Sequence, residues 1–196
     1  VKAARITQCA DLAHGCVCDR QRTNNERLLA LEALIELCDP RISSIVDTIE
    51  TDRTMWPDDI AGLALHHLFP KHIAVEQMLR ILGRIRGRLK GTDALSFYLR
   101  NSVKVVDVTA KIVEDLREGV MGLVIADLAW EENKHPQLRT SRFDLVPLLM
   151  ACCVRLIATK NCGDDWIASA ALCIRLSAGS LRADGLTKDL QAALRH

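Results

Sequence analysis

Residues 145–179 read LVPLLMACCVRLIATKNCGDDWIASAALCIRLSAG, two apolar runs joined by a short polar turn from Lys160 to Asp165. Pro147 suits the first turn of a helix, where its missing N–H has no partner to lose. Leu148, Leu149, Cys152, Leu156 and Ile157 follow on one face, and Leu145, Val146, Met150, Cys153 and Val154 fill most of the other. A helix apolar nearly all round needs neighbours on several sides. The second run opens on Asp164 and Asp165, acids suited to a cap and a first turn. Its apolar residues Ile167, Ala170, Ala171, Ile174 and Ala178 step by three and four and so predict one close-packing face, with Gly179 as the stop.

Val146-Pro147-Leu148-Leu149, a polar turn, and then Ala170-Ala171-Leu172-Cys173-Ile174 closing on Ser177-Ala178-Gly179 resembles one armadillo repeat. Such repeats open their second helix on a Val-Pro-Leu-Leu run and carry an Ala-Ala pair in the third. Leu176 departs from the pattern, because the family usually places there an Asn that ties neighbouring repeats together. The resemblance covers residues 145–179 only and implies an armadillo or HEAT-like stack of helices.

The rest of the chain agrees with an all-α reading. Residues 3–18 show a helical pattern through Ile6, Cys9, Ala10, Ala13 and Val17. Thr23 or Asn24 caps a second helix with Glu26 in its first turn and Leu28, Leu31, Leu34, Ile35 and Cys38 on its apolar face. Ile42, Ile45, Val46 and Ile49 mark a third. Asp58-Asp59 restarts the chain toward Phe69, and residues 72–90 carry Ile73, Met78, Leu82, Ile85 and Leu89 along one face. A long helix is expected from Ala94 to about Arg117, then an apolar continuation from Val120 to Trp130, with Gly119 and Gly122 suggesting a break or kink between them. Glu131 to Phe143 is polar and reads as a loop, and Leu186 to Leu194 as a last helix. This makes about nine or ten helices, in antiparallel stacks or an irregular bundle, with no strand. Helical units recur at roughly 35–50 residues, the range of armadillo and HEAT arrays.

At 196 residues, one domain spanning 1–196 is the default. The chain begins without Met and stops at His196, which leaves open that it is a fragment of a longer protein. Aromatics are 4% and net charge is +1, so no global field draws it to nucleic acid or anionic membrane. Pro147, Arg155 and Asp127 cut the apolar runs short of the ~18 residues a membrane helix needs. Eight cysteines without a secretory signal or glycosylation sequon point to a reducing compartment, cytoplasm or nucleus.

The sharpest surface signal is basic. Arg80, Arg84 and Arg88 step by four along one face, and Arg86 and Lys90 lie between and beyond them. With Lys71 and Glu76 they leave residues 71–90 at a net +5. Such a stripe suits an acidic protein segment or phosphates. It is equally answered by the acidic residues of 107–132, net −5, or by solvent. Trp56, Trp130 and the loop 131–143 are further candidates for partner contact, because Trp is enriched at binding hot spots; either Trp serves as well as a core plug.

Other constellations are less specific. Cys9, His14, Cys16 and Cys18 make a conceivable zinc set, but C-x6-C-x-C lacks the two spaced pairs of a zinc finger. His66 and His67 are adjacent and point ~100° apart on a helix. Gly83, Gly87, Lys90, Gly91 and Thr92 miss the phosphate-loop spacing. Cys152 and Cys162 have no His placed by the sequence to activate them. The expectation is a non-enzymatic interaction scaffold without cofactor or metal that binds a peptide or helix of a protein partner, with self-association left open. The alternative is an oligomeric or nucleic-acid-associated helical protein, and a third reading is a helical enzyme whose scattered site residues sequence cannot collect.

Overall fold

In a computed structural model the protein is all-α, its helices packed against neighbouring helices. The structure describes residues 2–52, 54–84, 100–103, 108–131, 137–159, 162–177 and 188. Contacts gather the chain into two units, residues 1–84 and 85–196.

The first unit contains α1 (Lys2–Cys18), α2 (Asn24–Glu36), α3 (Ile42–Thr51), α4 (Asp58–Leu68) and α5 (Val75–Arg84). Helix α2 starts where it does because Thr23 forms a reciprocal capping box. Its hydroxyl accepts from the Glu26 amide at 3.3 Å, while the Glu26 carboxylate accepts from the Thr23 amide at 2.9 Å. The helix ends in a Schellman motif: the Asp39 amide donates to Leu34 O and the Cys38 amide to Ile35 O, each at 3.0 Å. Cys38 takes the left-handed position, φ 50°, that glycine usually fills. Helix α1 packs on α2, α2 on α4, and α3 on α5. Leu31, Leu34, Ile45, Ile60, Leu65, Leu68, Ile73, Met78 and Leu82 are fully buried there. All four apolar positions expected of α3 are buried. Cys38 and Cys9, placed on apolar faces by the sequence pattern, are instead exposed.

The second unit contains α6 (Ala110–Ile125), β1 (Leu128–Glu131), β2 (Gln137–Thr140), a 3-10 turn (Phe143–Leu145), α7 (Val146–Ala158) and α8 (Asp164–Ser177). Helix α7 packs between α6 and α8. Val146, Leu148, Leu149, Met150, Ala151, Cys152, Cys153 and Leu156 are all buried, as an all-round apolar helix requires.

Three sequence expectations are corrected. The long helix does not run unbroken from Ala94 to Arg117. Thr109 caps a helix starting at Ala110, its hydroxyl accepting from the Ile112 amide at 3.3 Å. That helix passes through Gly119 and Gly122 without a break to Ile125, because its Val113, Leu116, Val120 and Val124 face is buried throughout. Second, Leu128–Trp130 is not helical, and Glu131 and 137–140 are not loop: 128–131 and 137–140 pair as an antiparallel ribbon, Leu128 opposite Thr140 and Glu131 opposite Gln137. The buried Thr140 hydroxyl anchors it, donating to Val124 O at 3.2 Å and accepting the Arg142 amide at 3.0 Å. Third, the buried face of α8 is Trp166, Ser169, Ala170, Cys173 and Leu176, about one residue around from the expected face, and Ile167 is 54% exposed. Trp166 Nε1 donates to Cys153 O at 2.9 Å and Ser169 accepts from buried Arg117, so two polar partners set the rotation that aliphatic spacing alone does not. Of the expected helix 186–194 only Lys188, in helical conformation, is among the described residues.

Candidate partner-binding surface

Helix α5 carries Arg80 and Arg84 one turn apart on one face, each side chain 56% exposed. Both reach the last turn of α3. Arg80 Nε lies 3.2 Å from Glu50 Oε1, and Arg84 Nη1 lies 3.4 Å from the same oxygen. Arg84 Nη1 also donates to the Glu50 carbonyl at 3.2 Å. That carbonyl lies in the last turn of α3, where helix carbonyls lack intrahelical donors and the dipole is negative. Glu50 itself is only 13% exposed. The pair therefore projects from the surface with its inner edges fixed, and the three side chains together carry one net positive charge. Arg86, Arg88 and Lys90, the far end of the stripe, lie outside the described residues.

Glu50 was not legible as part of this site. It sits 30 residues upstream of Arg80, in a helix whose sequence signal is its four buried aliphatics. The sequence balances the basic run against the acids of 107–132; the described ion pairs of Arg80 and Arg84 go to α3 instead.

Trp56 is 2% exposed, so its place is that of a core plug. Its Nε1 donates to Thr48 Oγ1 at 3.0 Å, and the Arg27 guanidinium stacks over its ring at 4.8 Å. Arg27 is 4% exposed and donates from Nε to Val17 O at 2.9 Å, meeting the C-terminal turn of α1, while its Nη2 has no hydrogen-bond partner. Burial pushes the Arg27 guanidinium below its ordinary pKa, and the nearby Cys18 acts in the opposite sense. Trp130 lies in β1 opposite Leu138.

The conceivable metal set is only partly assembled. His14 Nε2 and Cys18 Sγ are 3.8 Å apart, one helical turn along α1, whereas Cys16 donates to Glu26 O at 3.6 Å. Among the described residues no three His, Cys, Asp or Glu side chains are placed to hold one ion. Burial holds the Cys18 thiol above its usual range in spite of Arg27 and Arg41 nearby. His67 Nε2 lies 3.2 Å from Glu32 Oε1, and burial lowers His66. Cys152, Cys153 and Cys173 are buried, and burial strongly raises the Cys152 thiol. The hydrogen bond with Cys153 and burial together raise that of Cys173. A thiol held protonated in this way is a poor nucleophile. Cys162 is exposed, and burial nonetheless raises its thiol as well.

Among the described residues no helix is long and apolar enough to cross a membrane. Comparison with known proteins finds no matching family model, no matching curated protein and no matching solved structure.

Proposed function

We propose that this chain is a non-enzymatic helical interaction module of the armadillo or HEAT-like kind, which binds an acidic segment of a protein partner through the arginine stripe of α5. The observation that carries the reading is the pair Arg80 and Arg84, projecting from one helix face with more than half of each side chain exposed. Surface guanidinium pairs match carboxylates in geometry as well as charge. The sequence continues the same face to Arg88.

The test is a salt series with charge reversal. The purified protein captures partners at low and high ionic strength, with nucleic acid assayed alongside. A discrete protein held at low salt, released at high salt and lost in a folded Arg80→Glu/Arg84→Glu variant supports the module. The double reversal is expected to weaken capture at least tenfold, because it replaces attraction with like-charge repulsion across the contact. Retention unchanged by the reversal removes the stripe from the site. Retained RNA or DNA without a discrete protein moves the same arginines to phosphate contacts, with a steep salt dependence.

A further inference from the structure

We infer that Glu50 is a positioning residue for partner binding: it orders Arg80 and Arg84 into a preset clamp for a carboxylate-bearing segment. This rests on the acidic-partner reading and assigns a residue that the stripe itself does not contain.

Two arginines one turn apart repel each other, and each loses rotamer freedom when it is held for a ligand. In this structure Glu50 offsets both effects. Its Oε1 lies within 3.4 Å of both guanidinium groups, and its backbone carbonyl accepts a second bond from Arg84. Glu50 is itself held, with 13% exposure, in the last turn of α3, so the anchor does not move with the arms. Among the described residues Arg80 is engaged through Nε, and its terminal nitrogens are not used by Glu50. An incoming carboxylate then meets guanidinium groups whose ordering has already been met within the fold, which is how preorganisation raises affinity. The occupant is an acidic peptide segment rather than an apolar one, because the described contact residues here are charged and the cluster keeps a net positive charge.

Charge alone predicts the opposite sign for removing Glu50. A surface one unit more positive binds an acid more tightly, whichever neutral residue replaces the glutamate. Positioning predicts a split. Glu50→Gln retains an oxygen acceptor at Oε1 and binds at least as tightly as the wild type. Glu50→Ala has the same charge but releases Arg80 and leaves Arg84 only the backbone carbonyl, and binds about 5–10-fold more weakly than Glu50→Gln.

The probe is a fluorescein-labelled decaglutamate peptide, followed by anisotropy at low ionic strength, with circular dichroism confirming the fold of each variant. Glu50→Asp keeps the charge and withdraws the acceptor by one methylene; it should bind more weakly than the wild type, and it serves as the comparison if Glu50→Ala does not fold. Equal affinities for Glu50→Gln and Glu50→Ala, or an undiminished Glu50→Asp, overturn positioning while leaving the acidic-partner reading intact. Wild-type binding that is absent, or indifferent to Arg80→Glu/Arg84→Glu, overturns the acidic-partner reading and the clamp with it.

Discussion

Single side chains carry much of the structural logic, and Arg41 shows how one cation serves several ends. It donates from Nε and Nη2 to the two oxygens of Asp39 at 2.8 and 2.7 Å, and from Nη1 to Asp11 at 2.8 Å, so it bridges α1 to the turn after α2. These bonds, with a further one from the Arg41 amide, hold the Asp39 carboxyl down to about 2. A carboxylate depressed below its unfolded value of about 3.9 stabilises the fold above that value. The contribution fades as the pH falls from about 4 toward 2. Urea midpoints measured between pH 7 and pH 2 should therefore decline through this window. Arg41→Gln should start from a lower midpoint and decline less steeply, with a residue of the slope surviving because the backbone amide at position 41 still donates. A variant whose acid slope equals that of the wild type would show that another group titrates there. Arg27 is the contrasting cation. Buried against Trp56 and Val17 with one nitrogen unsatisfied, it could not be assigned from sequence, where it reads as an ordinary polar position of α2.

At the scale of elements, local signals and tertiary demands divide the work unevenly. The start of α2 is local: Thr23 and Glu26 stand three apart in sequence and satisfy each other's amides. Thr23→Ala should lower unfolding free energy by about 1 kcal/mol, read as a shift in denaturant midpoint at unchanged slope. Thr23→Ser should recover most of it, since the hydroxyl is what the amide needs. A Thr23→Ala variant as stable as the wild type would mean that packing of α2 against α1 and α4 alone defines the helix start. The ribbon 128–131/137–140 is the opposite case. Leu128-Ala129-Trp130 continues an apolar helical run in sequence, and only pairing with residues 137–140, together with the Thr140 anchor to α6, makes it a strand. For α8 the spacing predicts the helix but not its rotation. The small Ala-Ala pair drew the expected face toward Ile167 and Ala171, whereas Trp166 and Ser169 hold hydrogen-bond partners in the core.

Across the whole molecule, charge is nearly balanced in sum and the thiols divide into buried and exposed sets. With a net charge of +1 the surface field is set by local groupings, and the α5 pair is one that the structure holds in place. The eight cysteines are all free thiols, in contrasting environments. Denatured protein prepared without reductant should titrate as eight thiols. In the native state, alkylation followed by mass spectrometry should label exposed Cys9, Cys18, Cys38 and Cys162 first and leave buried Cys152, Cys153 and Cys173 to react only on unfolding. Fast labelling of any of these three would mean that the α7–α8 packing opens readily. The same burial predicts an alkaline limit. Thiols raised above their unfolded value of about 8.5 favour the native state below that pH, and the benefit is lost progressively above it as the unfolded chain ionises.

Local sequence patterns carry the helical class, the existence of most helices, the Thr23 cap of α2 and the burial of most of α7. These depend on spacing and on residues within one turn of each other, where 3.6-residue periodicity and capping chemistry act directly. The stripe of Arg80 and Arg84 was legible for the same reason, being one face of one helix. Tertiary structure decided the rest. It brought Glu50 beneath the two arginines, turned Trp56 inward onto Arg27, rotated α8 onto Trp166 and Ser169, and folded 128–131 into a ribbon. Each of these outcomes is a choice of partner between groups six to more than fifty residues apart, from Glu131 with Gln137 to Arg117 with Ser169. It follows from satisfying buried polar atoms and filling space between elements, for which linear order carries no code.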